Sequence, residues 1–217
     1  MSRTEELNDW AYGLKCEKAV EGLKKNGFDA LYCQSGEEVF HYIVNEAAQA
    51  KSVGFGGSLS VSDLKLADKL KGMGKEILNH SAPDLTPEQK LAITRRQLTC
   101  DLFLTGSNAV TLSGVLVNID GNGNRAASMF YGPLKVIVVV GRNKLVDGGV
   151  EDAIARIKQY ASPANAKRLD LATPCATTGF CSDCNSPQRI CRVTTIIEKR
   201  PRNTDIRVLV VNEEMGL

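Results

Sequence analysis

The sequence predicts an α/β fold, a doubly wound and mainly parallel sheet in one domain over residues 1–217. Three observations lead there. Short apolar runs alternate with amphipathic stretches of ten or more residues, the pattern of βαβ units. The run Leu134–Val140, LKVIVVV, is apolar without alternation apart from Lys135 and is bounded by Gly132 and Gly141, as suits a strand covered on both faces. Gly54-Phe55-Gly56-Gly57-Ser58 joins a strand pattern to a helix pattern through glycines, the usual form of a tight βα turn.

Taken in order, Ser2-x-x-Glu5 is a capping box. It opens a helix, or two short ones meeting near Gly13. Leu7, Trp10, Ala11 and Leu14 form one apolar stripe, and Cys16, Ala19, Val20 and Leu23 a shifted one, with a stop at Asn26-Gly27. Asp29 to Gln34 reads as a buried strand. Ser35-x-x-Glu38 starts a second helix. Ser52 to Phe55 is a strand, after which Ser60 or Ser62 caps a helix bearing Leu64, Ala67 and Leu70. Glu76 to Leu78 is a further strand. Thr86-Pro87-Glu88-Gln89 places a cap, a first-turn proline and a capping-box glutamine in sequence, predicting a helix to about Leu98. Leu102 to Thr105 and Val115 to Ile119 are strands. Glu151 to Tyr160 is a helix ending at Ser162-Pro163, and Asp205 to Val211 is the last strand. Residues 173–192 form an irregular cysteine-rich segment within the domain.

Composition narrows the function. Hydrophobic residues make up 43% and charged residues 24%, values of an ordinary globular chain. A net charge of +2 argues against nucleic acid as a partner, which selects strongly basic surfaces. The basic residues from Arg189 to Arg207 are diluted by Glu198 and Asp205 and read as a solvated surface. The acidic N-terminus has no apolar signal core, and no run approaches the length of a membrane span, so the expectation is a cytoplasmic protein without a membrane partner. Cysteines in that compartment are reduced or bind metal.

Three constellations carry the chemistry. Gly56, Gly57 and Ser58 stand where a helix N-terminus offers free N–H groups, so they are candidates to hold a phosphate or carboxylate. The turn is neither a dinucleotide fingerprint nor a P-loop, and a plain βα turn is the alternative. Thr105–Arg125, TGSNAVTLSGVLVNIDGNGNR, concentrates ligand-orienting side chains. Asn108, Asn118 and Asn124 are amides that donate and accept, Arg125 can clamp an anion, and Asp120 is the candidate acid or base. The alternative is that Asp120–Asn124 is only a hairpin tip. Cys175, Cys181, Cys184 and Cys191, spaced C-x5-C-x2-C-x6-C, form the candidate metal site, for zinc or an iron–sulfur cluster. Four reduced thiols, or a redox CxxC pair with two bystanders, remain open. Cys16, Cys33 and Cys100 fall in helix or strand patterns as small core residues.

GFGGSLSVSDL, TGSNAVTLSGVLVNIDGNGNR and TPCATTGFCSDCNSPQRIC together resemble the lactate-utilisation (LUD-domain) family, in its short bacterial branch. The resemblance implies a fold similar to ribose-5-phosphate isomerase, glucosamine-6-phosphate deaminase and the CoA transferases. It implies a role near L-lactate oxidation, beside redox partner proteins that carry iron–sulfur and flavin-type modules. The catalytic Ser-Glu-Asn-Gly motif of the CoA transferases and the Asp-Gly-Ala-Asp-Glu stretch of the isomerases are both missing, so no catalytic residue carries over. The expectation is a binder of a small anionic metabolite in lactate or organic-acid metabolism. Its rivals are an isomerase or transferase acting on a phosphosugar or acyl-CoA, and a non-catalytic subunit docking a redox partner.

Overall fold

The computed structural model describes residues 2–217, and the architecture is that of those residues. Helix α1 spans Arg3–Lys25 as one continuous helix, and the Ser2–Glu5 capping box forms in both directions. Strand β1 is Asp29–Cys33 and helix α2 Gly36–Glu46. Strand β2, Ser52–Phe55, turns into the short helices α3, Leu59–Ser62, and α4, Leu66–Gly72. Then come β3, Glu76–Asn79, and α5, Pro87–Gln97, with its Thr86–Gln89 capping box complete. Strands β4, Leu102–Gly106, β5, Ala109–Thr111, and β6, Leu116–Asp120, lead to α6, Asn124–Phe130. Strand β7 is Lys135–Gly141 and β8 Leu145–Val146. Helix α7, Val150–Arg156, passes through a π-helical segment, Ile157–Ala161, into α8, Ser162–Arg168. Helix α9 is Pro174–Thr178, and β9, Val193–Ile197, and β10, Asp205–Val211, end the order.

Six strands form a parallel sheet in the order β1-β10-β7-β4-β2-β3. Its residues alternate between two cores. Val136, Val138 and Val140, with Val208 and Val210, face α1 (Cys16, Val20, Leu23) and Met129 of α6. Ile137 and Val139, with Leu209 and Val211, face α2 (Val39, Ile43) and α4 (Leu66, Leu70). Helices on both faces make the sheet doubly wound, and that is why β7 from Val136 and β10 from Val208 carry no polar alternation. Ser52–Phe55 and Leu102–Thr105 are largely buried strands of this sheet, in agreement with the sequence pattern, and so is the expected Leu134–Val140 run from Lys135 onward, with Leu134 exposed just before the strand.

The sequence gives no sign of a second sheet, β8-β5-β6-β9, which packs Ala109 and Val117 against Ala153 and Ile157. The Val115–Ile119 run therefore belongs to this smaller layer. Its other strands are two to five residues long, and β9 is mostly exposed, so none produces an apolar run.

Other local expectations are revised. Leu7, Trp10 and Leu14 stay exposed, and only the Cys16–Leu23 stripe of α1 is core. Neither Ser60 nor Ser62 caps a helix. Ser58 holds the N-cap position of α3, and Lys65, in the left-handed region, that of α4. The helix through Tyr160 does not end at Pro163. The wider π turn precedes it, and Pro163 then sits in the first turn of α8, where a missing N–H is tolerated. Asp120–Asn124 is a strand-to-helix turn, and the hairpin-tip alternative is set aside. Gly123, at φ +77°, occupies the N-cap of α6, a backbone that glycine adopts without strain. Cys16, Cys33 and Cys100 are buried, and burial pushes each thiol up to about 11, so they remain neutral core residues.

Candidate functional site

The parallel sheet ends its strands along one edge, and a cleft of about 560 Å³ opens there. The volume is that of a small-molecule site. The turn after β2 supplies Gly56, Gly57 and Ser58, and the end of β4 supplies Ser107 and Asn108. His80 follows β3, and Lys144 follows β7. The turn after β6 contributes Asp120, Asn124 and Arg125. Helix α8 closes the far wall with Asn165 and Arg168, next to Ile190 of the cysteine-rich segment. Parallel strands all point their carboxyl ends to the same edge, which is why segments so far apart in sequence meet.

Seven of the eight residues expected at this cleft line it. Asn118 is the exception. It is 1% exposed and stands behind the wall, where its Oδ1 accepts from the Asn108 backbone N–H at 3.0 Å. Asn108 in turn accepts, through its own Oδ1, from Arg125 Nη2 at 2.7 Å and from the Ile119 N–H at 3.0 Å. The pair of asparagines thus fixes β6 against the end of β4.

Asp120 and Arg125 form a largely buried ion pair. Arg125 donates through Nε at 2.8 Å and through Nη2 to Asp120 Oδ1, and also to the Ile119 carbonyl. Asp120 Oδ2 accepts from the Ala126 N–H at 2.8 Å, which tethers the first turn of α6. Both carboxylate oxygens are engaged, so Asp120 holds Arg125 at the cleft wall.

Gly57 has φ +70°, and a Cβ there would lie 3.3 Å from His80 Nε2, so the turn is built on glycine. Burial pushes the His80 imidazole down, against a hydrogen bond with Gln97. Helix α3 begins at this turn with no side-chain cap.

Lys144 was not among the sequence candidates. It is 4% exposed, and its Nζ donates to Ser60 Oγ at 2.7 Å. Ser60 is buried and donates to the Met215 carbonyl at 3.0 Å. Burial, then Arg156 and Arg125, push the Lys144 amine down to about 7, with Asp63 opposing. The available signal was positional, a lysine three residues beyond the most buried strand. In sequence, GRNKLVDGG reads as an ordinary polar turn.

Cys175, Cys181, Cys184 and Cys191 line one small cavity that shares Ser162 and Ile190 with the main cleft. Arg189 stitches the segment, donating to the carbonyls of Cys184 at 2.5 Å and Cys191 at 2.7 Å and to Asp183 at 2.7 Å. Among the described residues, no three His, Cys, Asp or Glu side chains stand together as a metal-holding group. The four thiols are gathered around a cavity without reaching the spacing of a single-ion site. Also among these residues, no helix is long and apolar enough to cross a membrane.

Comparison with known proteins follows the same geometry. The chain is similar over 97% of its length to a DUF162 family protein from Deinococcus radiodurans, whose crystal structure it covers to 99%, with a TM-score of 0.50 and 18% identity. At that identity the likeness speaks for the fold. No curated protein matches the chain. A family model, the LUD domain, matches residues 16–211, from the buried half of α1 to the end of β10. The match takes in both sheets, the cleft and the cysteine-rich segment, and the chain belongs to the LUD domain family.

Proposed function

We propose that the chain binds a small anionic metabolite in the cleft at the strand ends, as part of lactate or related organic-acid metabolism. One observation carries this reading. The glycine turn after β2, the Asn108–Asp120–Arg125 wall and Lys144 converge on one cleft of about 560 Å³. Among the described residues, Lys90 and Arg168 line it as unpaired cations, beside Arg125, whose charge Asp120 offsets. That surplus of positive charge favours a carboxylate or phosphate. Gly56, Gly57 and Ser58 place the anion, Asn108 and Asn124 fix its oxygens, and Asn118 and Asp120 position the groups that touch it. Thermal melts with lactate, pyruvate, a phosphosugar and inorganic phosphate test the reading. Lactate or pyruvate at a hundredfold excess over its dissociation constant adds about 2.7 kcal/mol of stability. Gly57→Val, which forces a branched side chain into a positive-φ turn beside His80, abolishes that gain. No shift with any of the four anions sinks the reading, and a shift with the phosphosugar alone moves it to the isomerase or transferase alternative.

A second reading has its own support, because the four-cysteine cavity abuts the cleft. In it, the chain is a subunit that docks a redox partner, with Cys175, Cys181, Cys184 and Cys191 holding zinc or an iron–sulfur cluster when loaded. The thiols supply the right donors, but the segment must close inward to bind a single ion. Protein purified without oxygen is expected to carry metal in stoichiometric amount and to lose it in Cys184→Ser. A metal-free wild-type protein that takes up neither zinc nor iron refutes it.

A further inference from the structure

We propose that Lys144 is a catalytic residue of the cleft, whose amine condenses with the carbonyl carbon of a small anionic aldehyde or 2-oxo acid. The proposal rests on the reading of the cleft as an anion site. Three observations carry it. Lys144 is one of the residues lining the cleft and is 4% exposed, so it borders the ligand space from a buried position. Among the described residues no carboxylate lies within ion-pair distance of its Nζ, so nothing holds a positive charge there. Ser60 fixes the amine: its hydroxyl hydrogen goes to the Met215 carbonyl, which leaves a lone pair to accept one N–H of Lys144. The other N–H and the nitrogen lone pair remain for a substrate.

The charged groups acting on Lys144 are Arg156 on α7 and Arg125 on α6, with Asp63 beyond α3 as the weaker opposing charge. Burial and then the two cations bring the amine down to about 7, so a large share of it is neutral at neutral pH, the environment that makes a lysine nucleophilic. The same cations favour a substrate that brings its own negative charge. In the reaction, the nitrogen lone pair attacks the carbonyl carbon and the C=O π pair moves to oxygen. A proton passes from nitrogen to that oxygen, giving a carbinolamine. The nitrogen lone pair then forms C=N as the oxygen leaves, protonated, as water. One amine and one carbonyl become one imine and one water, with no oxidant or reductant.

The test is reductive trapping with pyruvate and glyoxylate in the presence of cyanoborohydride, followed by intact-mass and peptide mapping. One adduct per chain on Lys144 is expected. It is lost in Lys144→Met and kept in Lys199→Met, a control at an exposed lysine outside the cleft. The trapping rate rises through about pH 7 and then levels, whereas exposed lysines continue to gain reactivity toward their ordinary value of 10.5. Adducts spread over surface lysines without excess at Lys144, or an adduct that survives in Lys144→Met, overturn the proposal. Thermal melts with lactate, which has no carbonyl to attack, run in parallel. Stabilisation by lactate without an adduct leaves the anion site standing and removes the role of Lys144, and neither effect removes both.

Discussion

Replacing Arg125 by alanine is expected to lower the stability of the fold by about 3–5 kcal/mol, the cost of leaving one member of a buried ion pair alone. The side chains of Arg125 and Asp120 are 13% and 6% exposed, so water does not take over the lost contact. Three acceptors lose a donor together: Asp120 Oδ1, Asn108 Oδ1 and the Ile119 carbonyl. Asp120 would then be a buried carboxylate tied only to the Ala126 N–H. The effect is read as a lower urea midpoint at unchanged slope. The double variant Asp120→Asn with Arg125→Ala should recover part of the loss, because the orphaned charge is removed along with its partner. A double-mutant cycle gives the coupling directly. An Arg125→Ala protein within about 1 kcal/mol of wild type, the range of exposed pairs, would show that the pair is not buried in solution. Ligand affinity must be measured on variants corrected for this loss, since the residue best placed to meet an anion also holds β6 to α6.

The same entanglement decides what could be read without coordinates. The parallel sheet was legible because its central strands are covered on both faces, and from Val136 to Val140 β7 has room for nothing but apolar residues. Capping boxes at Ser2 and Thr86 were legible because side chains three residues apart close local hydrogen bonds. The small sheet was not. Strand β8 has two residues and β5 three, too few for any period to emerge, and β9 pairs with β6 from across the chain. The cleft was half legible. Gly56, Gly57 and Ser58 and the Asn108–Arg125 stretch advertise themselves by composition. That they share one edge follows from the parallel order of β2 and β4. What composition could not convey is partnership. Arg125 and Asp120 read as two free functional groups, and the fold joins them to each other. Nothing in the sequence set Lys144 apart, and the fold buries it.

That burial gives the other large effect. Lys144→Met is expected to stabilise the folded protein near neutral pH by about 1–4 kcal/mol, as is seen when buried charges give way to apolar residues of similar volume. The methionine matches the length of the lysine stem, and Ser60 keeps its own bond to the Met215 carbonyl. The pH dependence identifies the cause. The folded amine titrates at about 7 and the unfolded one at 10.5, so between those values the unfolded chain binds the extra proton. Wild-type stability therefore gains up to about 1.4 kcal/mol per pH unit from this group across that window. Below about pH 7 both states are protonated, and the folded chain bears the whole desolvation cost. At and above pH 10.5 both are neutral and the cost is gone. The difference between wild type and Lys144→Met should thus be largest below pH 7 and shrink steadily toward 10.5, while titrations of other groups cancel between the two proteins. Urea unfolding at several pH values measures it. A difference that does not change with pH would mean that the amine titrates alike in both states, as for a lysine in water. A fold that retains a buried, unpaired amine at a stability cost is consistent with selection for what that amine does in the cleft, and the stabilised variant is the one expected to have lost it.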